Sequence, residues 1–196
     1  MGQSRAKEAL AGALAALLVY AGAAWPQLNP LSAIGRVVST SLDVRTKAEV
    51  AADAEIAAGV SRRLLDDKKS EWAGVTTLVF AQHVVLAGAV KSVEAKKRVE
   101  EVARRDARIR SLRSELLVGE AGSLARDTAL EAEINAGLTS AKGVSSVNLR
   151  WCATGGIVVL MGVAQSQQEA AVAVARIRGI KGVRSVRSLL RVVPKK

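Results

Sequence analysis

A chain with one histidine and one cysteine has little with which to do covalent chemistry. Those residues are His83 and Cys152, in a sequence of 196. General acid–base or nucleophilic catalysis needs a base set beside a nucleophile. The periodicities described below place His83 in the hairpin turn of one repeat and Cys152 in a strand of the next, with nothing to bring them together. A buried zinc site needs about four Cys, His or carboxylate ligands, and no suitable spacing occurs. The paired carboxylates Asp66-Asp67 and Glu100-Glu101 fall among lysines and arginines, where solvated charge is the expected state. The inventory therefore points to a protein that is not an enzyme and holds no metal or cofactor. Cys152 is expected as a packed, inert thiol, because free cysteine behaves as a small hydrophobe. An odd cysteine also leaves a link between two chains open.

The chemistry the sequence does carry is positive charge. The formal net charge is +11, from 29 basic and 18 acidic residues, which predicts an anionic partner. The charge is uneven: Ala48 to Val118 holds 13 basic and 11 acidic residues, whereas Arg126 to Lys196 holds 11 and 4. From Arg176 onward eight residues are basic and none is acidic. Basic residues near an anionic bilayer are worth about 1 kcal/mol each, so Arg176, Arg178, Lys181, Arg184 and Arg187 mark a candidate surface for anionic phospholipid. With Ala170, Ala173, Val174 and Ile177 turned inward on a helix, Val172 and Ala175 point outward beside Arg176, and Gly179 follows. Arg98 and Glu101 occupy the matching places in the first half. Gly179-Ile-Lys-Gly182 has the spacing of a nucleotide-clamping G-x-x-G loop, but here it joins a helix to a strand. With only five Phe, Trp and Tyr residues in the chain, nucleic acid is not the expected partner.

These residues are positioned by a duplication. An offset of 74 sets Arg110-Ser-Leu-Arg-Ser on Arg184-Ser-Val-Arg-Ser, Asp53 on Asp127, and Gly88 on Gly162, without a gap. Two small domains in tandem follow from this. In each, a helical stripe comes first: Ile56, Val60 and Leu64, then Leu130, Ile134 and Leu138, with Asp127 placed as a helix cap. Two strands joined by a turn come next, Trp72 to Phe80 with Val84 to Val90. In the second copy Val147, Leu149 and Trp151 alternate as a half-buried strand, and Ile157 to Gly162 returns. A second amphipathic helix starts near Ser92 or Ser166, and an alternating strand ends each unit. The expected fold is α+β: two αββαβ units, each with two helices on one face of a three-stranded mixed sheet. The open sheet faces are candidates to pair the repeats, bind another protein, or form a homo-oligomer.

Residues 1–24 read as an export signal, with Arg5 and Lys7 before an apolar stretch and Ala21-Gly22-Ala23 as small residues for cleavage. The remaining expected divisions are a tether over 25–47, domains over 48–118 and 126–193, a linker over 119–125, and a basic tail over 194–196.

The element order, the return strand Ile157-Val-Val-Leu-Met-Gly162 and the run Gly179-Ile-Lys-Gly-Val-Arg-Ser-Val186 resemble the BON domain, named for bacterial OsmY and nodulation proteins. The similarity is to dual-BON envelope proteins of the outer-membrane lipoprotein type and extends over Arg126-Asp-Thr128, Val147-Asn148 and Leu160-Met-Gly-Val-Ala-Gln165. It implies a periplasmic, peripherally membrane-associated protein that supports outer-membrane integrity or osmotic-stress tolerance. It also implies phospholipid contact by the first helix of the second domain, at Arg126, Thr128 and Ala129. Two departures stand out. No cysteine is available for an N-terminal lipid, and Ala129 stands where the relatives commonly carry an interfacial tryptophan.

Overall fold

The structure, a computed structural model, describes residues 43–68, 72–120 and 122–194. The expected signal over 1–24, most of the tether and the end of the basic tail lie outside them. The first unit comprises α1 (Lys47–Asp66), β1 (Val75–Phe80), β2 (His83–Val90), α2 (Val93–Ala103), β3 (Ser111–Ser114) and β4 (Leu117–Val118). The second comprises α3 (Leu124–Ser140), a 3₁₀ turn at Ser146–Asn148, β5 (Leu149–Thr154), β6 (Ile157–Ala164), α4 (Gln167–Arg178) and β7 (Ser185–Val192).

Local chemistry fixes the helix starts. The Glu49 amide donates to Thr46 Oγ1 (3.2 Å) while the Thr46 amide donates to Glu49 Oε2 (2.8 Å), a reciprocal cap for groups that a helix start leaves open. Ser92 and Ser166 cap α2 and α4 by accepting from Ala95 and Glu169, both at 3.0 Å. Asp127 does not act as a cap. It sits inside α3 and accepts from the Gly155 amide at 2.9 Å, so helix and hairpin turn are tied across 28 residues of chain. Asp53 does the same in the first unit with the Ala81 and Gln82 amides, each at 2.7 Å.

Each sheet is mixed. β1 runs antiparallel to β2 and β5 to β6, while β3 and β7 run parallel to the central strand. β3 and β4 keep one register along β2, with His83 opposite Ser111 and Ala89 opposite Leu117. They are two pieces of one third strand, and the α+β arrangement of three-stranded sheets is present twice. His83 is not in the turn as expected; it is the first residue of β2, and the turn is the two residues Ala81 and Gln82, with φ of 51° and 65°. Gly155 and Gly156 hold the same turn in the second unit. Gly88 and Gly162 match because a Cβ on either would collide with the backbone carbonyl of Gly74 or Asn148.

Ile56, Val60, Leu64, Val99 and Val102 pack on Val84, Leu86 and Val90 to form one helix–sheet core. Leu130, Ile134, Leu138, Ala173 and Ile177 pack on Leu149, Trp151, Val158 and Leu160 to form the other. A third core lies between the sheets: Leu78, Phe80, Val85 and Ala87 of the first unit meet Cys152, Val159, Met161 and Val163 of the second. The chain is therefore a four-layer sandwich with helices outside and the two sheets face to face. This corrects the half-buried reading of the strand around Trp151. It begins at Leu149, and both of its faces are covered, one by helices and one by the other sheet.

The boundaries shift for the same reason. The tether does not run free to Lys47, because Arg45 is 9 % exposed and its guanidinium reaches Asp43 (2.7 Å) and Asp53 (2.8 Å). The Val44 amide donates to Asn148 Oδ1 at 3.0 Å, which fastens this segment to the second unit as well. The linker is shorter than 119–125, since α3 begins at Leu124. Asp67 is not a solvated charge either; it pairs with Arg98 at 2.7 Å and is 11 % exposed, joining the end of α1 to α2.

Candidate functional site

The outer face of the second unit is set by α4. Ala173 and Ile177 are fully buried against the sheet, which turns Ala175, Arg176 and Arg178 to solvent. Two cations in the last turn suit the negative end of the helix dipole. Glu169, 6 % exposed, accepts from the Ser145 and Gln165 amides at 2.7 Å and locks the start of α4 to the loop after α3. A cleft of about 520 Å³ follows, lined by Glu133, Gly137, Ser140, Ala175, Arg176, Gly179 and Lys181, among others. Arg176 spans it, donating from Nε to the Gly137 carbonyl at 3.3 Å. Of the ion pairs among the described residues, only Arg187 with Glu115 uses a basic residue of the second unit. Among the described residues the cations of this face enter no ion pair, and the one carboxylate in the cleft lining, Glu133, stands against Arg176 and Lys181 there.

The same place in the first unit is closed. An offset of 74 carries Gly137 to Arg63, Ile180 to Asp106 and Gly182 to Arg108. Arg63 and Arg108 both grip Asp106, at 2.8 and 2.7 Å, and Arg108 reaches Glu55 at 3.1 Å. Hydrogen bonds from Arg108 hold the Asp106 carboxyl well below the usual carboxylate range, against the opposing effect of burial. An internally neutralised network fills what the second unit leaves as an open cationic cleft.

The structure brings together only some of the residues singled out from sequence. Ala175, Arg176, Gly179 and Lys181 line the cleft, and Arg178 is exposed on the same helix end. Val172 is half-buried. Arg126 and Ala129 are exposed and Thr128 half-buried near the start of α3, outside the cleft lining. Arg184 lies against the Gly155–Gly156 turn. Arg187 is elsewhere: on β7 it shares the side of Leu189, which packs against the inter-sheet core, and its guanidinium pairs with Glu115 at 3.1 Å.

Two participants, Arg45 and Arg150, carried no sequence signal. Arg45 and Arg150 both approach the Phe80 ring, at 4.2 and 5.5 Å from its centroid. Burial pushes the Arg150 guanidinium down to about 10, and the Val147 and Leu149 carbonyls accept from it at 3.0 and 2.7 Å. His83 bonds Ser111 Oγ through Nδ1 (2.6 Å) and Arg191 through Nε2 (2.9 Å). Burial pushes the Cys152 thiol up to about 11, and its sulfur lies 3.7 Å from Thr154 Oγ1.

Two helix-backed mixed sheets closed face to face, with cations outside any ion pair on one outer surface, define a tandem α+β binding scaffold. The BON domain model matches residues 52–120 and 126–194, and the chain belongs to the BON domain family. BON domains are found in envelope-associated proteins and are in general non-catalytic. A curated relative, the "Uncharacterized protein in gshII 5'region" of Anaplasma centrale, is 32 % identical over 102 residues, spanning 50 % of this chain and 68 % of that protein. Among solved structures, the C-terminal domain of CdsD, a structural protein of the type III secretion system of Chlamydia trachomatis, aligns at 15 % identity and a TM-score of 0.31 over 72 % of this chain and 67 % of that one. A second CdsD structure aligns at 15 % and 0.32, over 74 % and 65 %. Scores this low carry no function across. No helix among the described residues is long and apolar enough to cross a membrane.

Proposed function

We propose that this chain is a periplasmic, peripherally membrane-associated protein whose second BON domain docks on anionic phospholipid and so supports outer-membrane integrity or osmotic-stress tolerance. The observation that carries this reading is the contrast between one groove in its two copies: filled by the Arg63–Asp106–Arg108 network in the first domain, open and cationic around Arg176 and Lys181 in the second. Arg126, Arg178 and Arg184 extend the charge to either side. The small residues Ala175 and Gly179 let a surface approach closely. Arg187 is left out of the lipid face because Glu115 already holds it. The rival reading, in which the open sheet faces recruit another envelope protein or a second copy, loses support because those faces already cover each other.

Co-sedimentation with vesicles containing phosphatidylglycerol or cardiolipin at low salt is the test. Binding is expected to require the anionic lipid and to weaken as salt rises. Arg176→Glu with Lys181→Glu should lower it at least ten-fold, whereas Lys97→Glu with Arg105→Glu, on exposed positions of the first domain, should do little. Equal losses from the two pairs would show that net charge alone acts, and no vesicle binding at all would remove the lipid reading.

A further inference from the structure

We infer that the seam between the two sheets carries a separate anion site, suited to a phosphate group and built by both domains together. It lies away from the helix face and does not rest on the lipid reading. A cleft of about 320 Å³ runs between the outer strands β3 and β7, where Phe80 and Met161 are buried lining and His83, Ser111, Ser188 and Arg191 are accessible. That volume is at the small end of the roughly 300–1,000 Å³ usual for ligand sites. Arg113 also lines it.

The charge around this cleft is unbalanced. Glu115 is shared by Arg113 (2.6 Å) and Arg187 (3.1 Å), so one carboxylate serves two guanidiniums. Among the described residues Arg191 pairs with no carboxylate; it donates to His83 Nε2 at 2.9 Å. The imidazole must then be neutral, with its proton on Nδ1 and directed to Ser111 Oγ at 2.6 Å. Arg110, exposed and adjacent to Ser111, adds a further positive charge near the ring. Burial, then Arg191 and Arg110, hold the imidazole below its ordinary range. Among the described residues the carboxylate acting on it is Asp53, which is committed to Arg45 and to the turn amides. Four arginines gathered around one glutamate and a neutral histidine are mutually repulsive until an anion enters.

Phosphate fits because the donors converge from different strands. Planar guanidiniums match its oxygens in pairs, Ser111 offers a hydroxyl donor, and His83 gains a second N–H on taking a proton. Neither domain alone holds the set: His83, Ser111 and Arg113 come from the first, Arg191 from the second.

Calorimetric titration of the full chain with inorganic phosphate and with glycerol phosphate tests the site, and sulfate, which does not itself titrate near neutrality, reports proton uptake. One anion per chain is expected, with sulfate binding accompanied by proton uptake near pH 7. Arg191→Met and Arg113→Met should each weaken binding at least ten-fold; the second leaves the His83–Arg191 contact in place, so a loosened seam cannot explain both. His83→Gln should abolish proton uptake, while Arg176→Glu on the helix face should change nothing. A preference for glycerol phosphate assigns the site to a lipid headgroup, and a preference for inorganic phosphate assigns it to the free ion. The site is refuted by binding that never saturates, by binding indifferent to both methionine variants, or by binding lost in Arg176→Glu instead.

Discussion

Asp53 and Asp127 occupy one repeated position and have unequal tasks. Asp53 accepts from two turn amides and from the buried Arg45, and the turn it holds consists of Ala81 and Gln82, both at positive φ. Left-handed backbone costs a non-glycine residue roughly 1–2 kcal/mol, so the carboxylate and the strained turn are parts of one arrangement. Asp127 holds only Gly155, which needs no such restraint. Asp53→Asn, which turns one acceptor toward amides as a donor and leaves Arg45 with less countercharge, should cost about 3 kcal/mol. Asp127→Asn should cost about 1 kcal/mol, and urea unfolding of the two variants would give the ratio. Gln82→Gly should stabilise by roughly 1 kcal/mol through relief of the turn. His83 sets a pH dependence. Its folded pKa lies below the unfolded value near 6.5, so the unfolded chain binds more protons and stability falls as pH drops through that region. Thermal melts from pH 7.5 to 5.5 should show a loss in the native protein that His83→Gln flattens; parallel curves would remove the histidine from the account.

At the level of elements, the two copies of the third strand and of the helix groove separate what patterning predicts from what it does not. Period-four and period-two stripes follow from burial on one face, and Ile56, Val60, Leu64 and their partners in α3 carry that signal directly. The cap serines of α2 and α4 were legible for the same reason: the interaction is local. Asp127 was misread because its partner is Gly155, 28 residues away, and no local rule distinguishes a capping carboxylate from one that reaches a hairpin turn. Strand β5 was misread because covering its second face requires the other domain. The continuous β7 and the divided β3–β4 have similar alternation, yet Glu115, at the break, is drawn toward Arg113 and Arg187, which only the folded pair of domains places there. The cationic cleft was half visible: outward Ala175, Arg176 and Gly179 follow from helical spacing, but the opposing Gly137 wall does not. Ala129, exposed near the start of α3, gives a test of this face. Ala129→Trp should increase vesicle binding about ten-fold, since partial burial of one indole is worth about 1.5 kcal/mol, and a fluorescence blue shift of the new indole should accompany it. An unchanged affinity with no shift would place the first turns of α3 off the membrane.

Closing the sheets on each other joins the two domains through one shared core. The seam combines an apolar centre, from Leu78 and Phe80 to Met161 and Val163, with polar fastenings at its margins: Val44 to Asn148, Arg45 and Arg150 on Phe80, Glu115 to Arg187, and His83 to Arg191. Exposed ion pairs are worth about 0–1 kcal/mol each and are screened by salt, whereas burying a Phe, Leu or Met side chain is worth roughly 1.5–3 kcal/mol. The apolar centre must therefore dominate, and raised salt should release a bound membrane without parting the sheets. Cys152 reports on this directly. It lies in the inter-sheet core, 4 % exposed, with its thiol pushed up to about 11 by burial, and the thiolate is the reactive form. In the intact chain at pH 8 a thiol reagent should label it only as fast as the seam opens, and 1 M salt should leave that rate within about two-fold. Met161→Ala should destabilise by about 2–4 kcal/mol. Met161→Arg, which sets an unpaired cation between the sheets, should make labelling fast while circular dichroism still shows both helix–sheet cores. Fast labelling of the native chain, or protection that collapses in salt, would mean that the marginal ion pairs and not the apolar centre hold the two domains as one body.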